Sequence, residues 1–261
     1  MEKIELIDVH KSLGGKAVLR GVNLSVKQGE TLVVIGRSGC GKSVMLKHMV
    51  GLFHPDSGSI VVDGEDISRL SESGLYRIRK KFGVLFQGAA LLDSLTVGEN
   101  VGLGLSEQSK HRPDLIRCVV EEKLAMVGMT GMEHYMPSDL SGGMKKRVGL
   151  ARAIALEPEI VLYDEPTTGL DPIMADSINE LIISLKHELN ITSVVVTHDM
   201  TSVRKVADRV AMLYEGEIIF TGNVSDIDAT DNEIVRQFVE GRAEGPIIPA
   251  FRKVDTDVRE C

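Results

Sequence analysis

Residues 32–43 read Leu32-Val33-Val34-Ile35-Gly36-Arg37-Ser38-Gly39-Cys40-Gly41-Lys42-Ser43. Four consecutive apolar residues without polar alternation suit a strand covered on both faces, as in a parallel sheet. The glycines that follow let successive backbone N–H groups curl around an anion. Ser43 to Val50 has helical composition and stops at Gly51, so the loop opens onto a helix N-terminus with its positive dipole end. Strand, Gly-rich loop and helix in that order predict a phosphate-binding loop over Gly36, Arg37, Ser38, Gly39, Cys40, Gly41, Lys42 and Ser43. Lys42 is placed to reach β- and γ-phosphates, and Ser43 to hold Mg²⁺.

On the N-terminal side, residues 3–9 alternate around Ile4, Leu6 and Val9 and read as a half-buried strand. A Gly14-Gly15 turn leads to a second strand from Val18 to Val26. Beyond the loop helix, the Pro55-Asp56-Ser57-Gly58 turn enters a strand at Ser59–Val62. From about Gly88 to Pro158 helical segments dominate, at Thr96–Leu103, Pro113–Val127 and Gly143–Leu156. Pro113 suits a first helical position and Gly128 a helix end. Strands return at Ile160–Tyr163, Ser193–Val196, Val210–Leu213 and Glu217–Phe220. A long helix runs from Asp171, its cap, through Pro172 to Leu189. Sheet, helices, sheet implies a helical block inserted into an α/β core. The tail from about Gly241 to Cys261 has weak periodicity and reads as an arm or as disorder.

Composition narrows the class. The chain has 261 residues, enough to bury a core without disulfides or a structural metal. Thirty Lys and Arg against 38 Asp and Glu leave a net charge of −8, which argues against a nucleic-acid partner. Aromatics are only 4% and Trp is absent, so a base-stacking platform is not expected. No apolar run approaches the roughly 18 to 20 residues of a membrane helix. The opening Met1-Glu2-Lys3-Ile4-Glu5 lacks the pattern of a cleaved secretory signal. Cys40, Cys118 and Cys261 fit neither a zinc spacing nor a disulfide framework, which favours a reducing compartment.

Two further stretches carry chemistry. Ile160-Val161-Leu162-Tyr163-Asp164-Glu165 is a core strand that ends in two carboxylates. Asp164 suits Mg²⁺, through water, and Glu165 suits general-base or water-orienting work. Leu140-Ser141-Gly142-Gly143-Met144 precedes a basic helix start, Lys145-Lys146-Arg147. Read alone it is an ordinary capped helix or a second anion site. Two phosphate-binding helix starts in one chain suggest that the second serves a nucleotide held by a neighbouring copy. The basic run reads as a solvated face or a contact across that pair. Met126, Met129, Met132 and Met136 read as core packing, with a partner-facing surface as the alternative.

Taken together and in this order, the motifs over residues 3 to 240 resemble the ATP-binding subunit of an ABC transporter. Gly36 to Ser43 stand as Walker A and Gln87 as the Q-loop glutamine. Leu140, Ser141, Gly142 and Gly143 stand as the signature. Asp164 and Glu165 stand as the Walker B aspartate and catalytic glutamate, Asp171 lies in the D-loop, and His198 stands as the switch histidine. The resemblance implies an ABC-type P-loop NTPase fold of class α/β. Its parts are a RecA-like mixed sheet, an N-terminal antiparallel β subdomain and a helical subdomain inserted at about 88–158. The ATPase domain is expected over 1–240 and a C-terminal extension over 241–261. The cofactors implied are ATP and Mg²⁺. Glu165, His198 and Lys42 are the expected catalytic groups, and Ser43, Gln87 and Asp164 the expected metal site. ATP is expected between Walker A of one copy and the signature of a second copy.

The stretch Leu85 to Val97, Met136-Pro137-Ser138-Asp139, Met144, Ala151 to Pro158 and Phe238 to Gly241 resemble more closely the ATPases of MCE-associated, Mla-type lipid transporters. That resemblance implies phospholipid movement between inner and outer membranes. The implied partners are an integral-membrane permease, an MCE-domain lipid-binding protein and a small regulatory subunit. The implied place is the cytoplasmic face of a bacterial inner membrane. It also implies that the tail embraces the second copy. A small-solute importer ATPase is the rival reading, and a soluble ABC ATPase or a P-loop kinase or GTPase fits the motifs less well. The chain departs from the family at three points. Leu13 stands where an adenine-stacking aromatic is common, leaving His10 or a partner side chain as substitutes. Val44 stands for Thr and keeps only its backbone N–H. Met144 stands for Gln. Cys40 inside the loop suggests that alkylation or oxidation blocks ATP, against the plainer reading of an inert loop residue.

Overall fold

In the computed structural model, which describes residues 1–107 and 112–248, the apolar run at 32–35 lies at the centre of the larger of two sheets. The strand order there is β10-β9-β3-β8-β7-β6. These strands are β3 (Thr31–Ile35), β6 (Phe82–Leu85), β7 (Ile160–Asp164), β8 (Thr192–Thr197), β9 (Arg209–Tyr214) and β10 (Glu217–Asn223). All pair in parallel except the edge strand β10. Successive residues of β3 face opposite sides. Val33 and Ile35 pack into one core cluster, and Leu32 and Val34 into another. Both faces are covered, which is why the run shows no alternation.

The second sheet is antiparallel, in the order β2-β1-β4-β5, with β1 (Glu2–Leu13), β2 (Lys16–Lys27), β4 (Ser57–Val62) and β5 (Glu65–Asp66). It closes over α1 (Lys42–Met49), whose Met45 and Met49 fill the space between the sheets. Strand β1 runs four residues beyond the expected end at Val9. Irregular pairing between Leu6 and His10, with Asp8 at φ 49°, breaks the alternation that marks a strand in sequence.

The remaining helices are α2 (Glu72–Arg79), α3 (Val97–Glu107), α4 (Pro113–Met126), α5 (Gly142–Ile154), α6 (Pro172–Leu189), α7 (Met200–Val206), α8 (Val224–Ala229) and α9 (Glu233–Glu240). Thr96 and Glu99 close a reciprocal cap at the start of α3. Pro113 and Gly128 bracket α4 as expected. Asp171 caps α6 through the N–H groups of Ile173 and Met174, both at 3.0 Å. Helices α2, α7, α8 and α9 and strands β5 and β6 were not anticipated. Each is short, with too few turns to show a period. Met129 is buried and Met126 and Met132 pack against the core, as expected of that cluster.

Helix α5 belongs to both regions of the fold. Its first turn carries the signature residues, and its later turns pack on β6, with Gly149 against Leu85 and Ala89. No helix among the described residues is long and apolar enough to cross a membrane. The tail is described to Ile248. Gln237 accepts the Ile247 N–H at 2.6 Å and donates to the carbonyls of Ile247 and Arg242, so this stretch is folded and Ile247 is buried. The expectation of an arm or disorder covers 241–261, of which residues 249–261 lie outside the described residues.

Candidate functional site

The phosphate loop is built by backbone strain that only glycine tolerates well. Gly39 and Gly41 have φ of 78° and 111°, and Gly41 is the N-cap of α1 with no side chain to satisfy the helix start. The first bond inside α1 is Met45 N–H to the Gly41 carbonyl at 2.8 Å. The N–H groups of Lys42, Ser43 and Val44 stand ahead of it, at the positive end of the helix. Lys42 is buried, and its ammonium donates to the carbonyls of Gly36 at 2.7 Å and Arg37 at 3.1 Å. It is thereby folded back over the loop that it is expected to serve.

The loop meets the carboxylates at the end of β7. Ser43 Oγ donates to Asp164 Oδ1 at 3.0 Å. Burial pushes the Asp164 carboxyl up, with the Ser43 hydrogen bond opposing and the neighbouring Glu165 adding to the rise. Glu165 sits at φ 50°, and its N–H donates to the Val196 carbonyl at 2.9 Å. Its carboxylate lies 3.7 Å from Lys42 Nζ, accepts from Thr168 Oγ1 at 3.1 Å and meets His198 Nδ1 at 2.9 Å. The His198 ring is half exposed. Five of the expected residues, Lys42, Ser43, Asp164, Glu165 and His198, therefore form one connected cluster. Gln87 is exposed, and its backbone carbonyl joins the cluster through Lys146.

The donors present fit a magnesium nucleotide. Ser43 Oγ and Asp164 Oδ1 are hard oxygens already within one hydrogen bond of each other, beside a loop that presents N–H groups. Among the described residues no cluster of three or more His, Cys, Asp or Glu forms an all-protein metal cage. Mg²⁺ does not require one when phosphate oxygens share its coordination.

The signature residues make a separate group. Ser141 caps α5 by accepting from Met144 N–H at 3.3 Å. The close neighbours of Gly142 and Gly143 are Leu170 and Met174, next to Asp171, and not the phosphate loop. Asp171 is occupied as the cap of α6.

The structure narrows three expectations that each had an alternative. The basic run after the signature is not a solvated face. Lys146 is buried, and Arg147 donates to the Val127 carbonyl at 2.5 Å and to Ser177 Oγ at 2.6 Å. His10 is engaged by Asp8 at 3.1 Å, outside the cavity beside the phosphate loop. That cavity, of about 440 Å³, is walled by Ala17, Val18, Arg37, Cys40 and Tyr214, and Leu13 is not among its lining residues. Cys40 is not a poised thiolate either. Burial pushes its thiol up more than Lys42 pulls it down. We expect iodoacetamide at neutral pH to label exposed Cys118 at least about tenfold faster than Cys40. Peptide mass spectrometry over time checks this, and equal rates would restore the reactive reading.

With this geometry in place, the comparisons decide the family. The sequence pattern described as "ABC transporter" matches residues 19–168. The chain belongs to the ABC transporter family. It is an ATPase cassette of that family, an α/β protein of the expected fold. It is 42% identical to a probable ribonucleotide transport ATP-binding protein, mkl, of Mycobacterium tuberculosis, over 98% of this chain and 72% of that one. It is 38% identical to the intermembrane phospholipid transport system ATP-binding protein MlaF of Escherichia coli, over 94% of this chain and 91% of that one. Among solved structures it resembles a dimeric ATP-binding cassette in a post-hydrolysis state with ADP and Pi. The TM-score is 0.78 at 34% identity, covering 85% of this chain and 98% of that one.

Proposed function

We propose that the chain is the ATP-hydrolysing subunit of a transporter that moves phospholipid between the inner and outer membranes. The observation that carries the ATPase chemistry is the single cluster of Lys42, Ser43, Asp164, Glu165 and His198. The lipid assignment is supported by the likeness to MlaF along nearly the whole of both chains.

In this reading ATP phosphates lie on the Gly36–Ser43 loop, and Lys42 exchanges loop carbonyls for β- and γ-oxygens. Ser43, Gln87 and, through water, Asp164 would hold Mg²⁺, which would supply charge neutralisation for those oxygens. Glu165 orients the attacking water and takes its proton. Thr168 and His198 hold the Glu165 carboxylate, and His198 Nε2 faces the γ-phosphate. A second copy supplies Ser141, Gly142 and Gly143 to the same phosphate and Asp171 to the shared interface. The transition state is loose, so positioning and charge neutralisation do the catalysis.

We assign residues 1–240 to the ATPase unit, with the helical part inserted at about 88–158, and 241–261 to an extension against the second copy. The helical block, which carries a groove of about 660 Å³ between α3 and α4, and the surface near Gln87 would receive a short helix of a permease. That permease would hold the chain at the cytoplasmic face of the inner membrane, with an MCE-domain protein and a small regulatory subunit as further partners. The test is affinity purification of the tagged full chain from gently solubilised native membranes, with mass spectrometry of proteins and lipids. A multi-spanning permease with an MCE-domain protein and phospholipid is expected. A permease with a small-solute binding protein would overturn the lipid assignment, and no membrane protein at all would overturn the transporter assignment.

A further inference from the structure

Lys146 is a buried cation that the chemistry above does not use and that, unlike buried Lys3 and Lys123, has no ion-pair partner among the described residues. It is 5% exposed, on α5, five residues after the cap Ser141. Among the described residues no carboxylate lies within ion-pair distance of it. Its ammonium donates instead to two backbone carbonyls, those of Gln87 and, at 3.1 Å, Glu165. Burying an ammonium without a direct counter-ion is costly, and an apolar side chain of similar length would fill the space more cheaply. The cost is partly offset by Asp164 and Glu165, whose negative charges act on Lys146 from close by, although burial still pulls its pKa down.

What Lys146 joins is specific. The loop after β6 is fastened to α5 at a second place, where Arg152 donates to the Ala89 carbonyl at 2.6 Å and the Ala90 carbonyl at 2.7 Å. Ala89 and Ala90 have φ of 60° and 49°, so this loop is held in a strained shape by α5. Glu165, also at positive φ, receives from α5 only the Lys146 hydrogen bond. Lys146 is therefore the one polar link, among the described hydrogen bonds, between the helix that starts with Ser141 and the backbone of Glu165.

We propose that Lys146 is a positioning residue that sets the Glu165 backbone according to where α5 and the Gln87 loop sit. This rests on the ATPase reading of the site. When a nucleotide on the partner copy engages Ser141, Gly142 and Gly143, α5 shifts as a rigid body, and the Lys146 ammonium carries the Glu165 carbonyl and the Gln87 carbonyl with it. Hydrolysis is thus tied to engagement of the signature end, and ATP binding at the Gly36–Ser43 loop is not.

The test compares the full chain with Lys146→Met, Lys146→Arg and Lys146→Gln. Steady-state phosphate release gives kcat and KM, and thermal melting follows the fold. We expect Lys146→Met to lose at least about tenfold in kcat with KM for ATP within about twofold and melting unchanged or higher. Lys146→Arg, which keeps charge and donors, should recover at least a third of the parental kcat. Lys146→Gln keeps two N–H donors without charge and should fall between them. A folded Lys146→Met with parental kcat would overturn the proposal. So would a parallel fall of kcat, affinity and melting temperature, which is the signature of a merely structural role. If Lys146→Met does not fold, Lys146→Gln decides, and a parental kcat there sinks the positioning role of the charge. Glu165→Gln is run alongside. If that variant hydrolyses ATP at the parental rate, the ATPase reading has failed and not merely the role of Lys146.

Discussion

Glu165→Gln should lower ATP turnover at least about 100-fold while leaving ATP bound. The substitution preserves shape, so Thr168 Oγ1 and His198 Nδ1 keep a partner at the positions where they now lie 3.1 and 2.9 Å from the carboxylate. What disappears is the charge beside Lys42, 3.7 Å away, and the group able to take a proton from water. Phosphoryl transfer then lacks its base, while the loop and Lys42 still hold the phosphates. The expected consequence is a trapped state. Size-exclusion chromatography with ATP and Mg²⁺ should show a dimer for the variant and mostly monomer for the parent. Phosphate release at the parental rate would remove Glu165 from the mechanism. Loss of turnover together with loss of nucleotide binding would assign it a structural role instead.

Gly83→Ala should be strongly destabilising. Gly83 lies in the middle of β6, facing the last turn of α5. An added Cβ would fall inside the van der Waals shell of the Ala153 carbonyl oxygen, 2.9 Å from the Ala153 carbonyl carbon and 3.1 Å from Pro158 Cγ. Those neighbours are backbone and ring, which cannot rotate aside, so α5 must retreat. Overpacking of this kind costs about 3 kcal/mol or more. For a chain of this size that is about 6–12 °C in the melting temperature. The same retreat draws Lys146 and Arg152 away from the carbonyls of Gln87, Ala89 and Ala90, so turnover should fall as well. Gly88→Ala is the control for stability. Its Cβ meets open space, and its melting should stay within about 1–2 °C of the parent. Equal melting of the two variants would refute the close-approach argument.

Local chemistry made much of the site readable in advance. The phosphate loop is a contiguous stretch whose glycines, lysine and serine act on one another within eight residues, so order along the chain is order in space. The cap at Asp171 and the turn at Thr96 are equally local, because a helix start is satisfied by side chains two or three positions away. Glu165 was nameable because it ends a buried strand beside Asp164, whereas His198 was named through the family resemblance alone; strand ends of a parallel sheet gather at one edge.

Other features had no local signal. Lys145-Lys146-Arg147 reads as three solvated cations, and burial divides them. Lys146 goes inward because Gln87 and Glu165, 59 and 19 residues away, present carbonyls to it. Likewise Val18 and Tyr214 meet across the cavity beside the loop, although they belong to different sheets. Leu13 drew attention only through its position along the chain. Strand β1 passed through an irregular stretch that hid its second half.

By itself the amino-acid sequence determined the α/β class, the phosphate-loop motif and the order of the motifs along the chain. These follow from periodicity, turn chemistry and capping, which act over a few residues. Only the tertiary structure decided that Glu165 is held by His198 and Thr168, that α5 joins its capped first turn to the sheet, and that Lys146 is buried between two loops. Such facts depend on which distant segments exclude water together, and a charge reveals its role only once the groups that replace its water are in place.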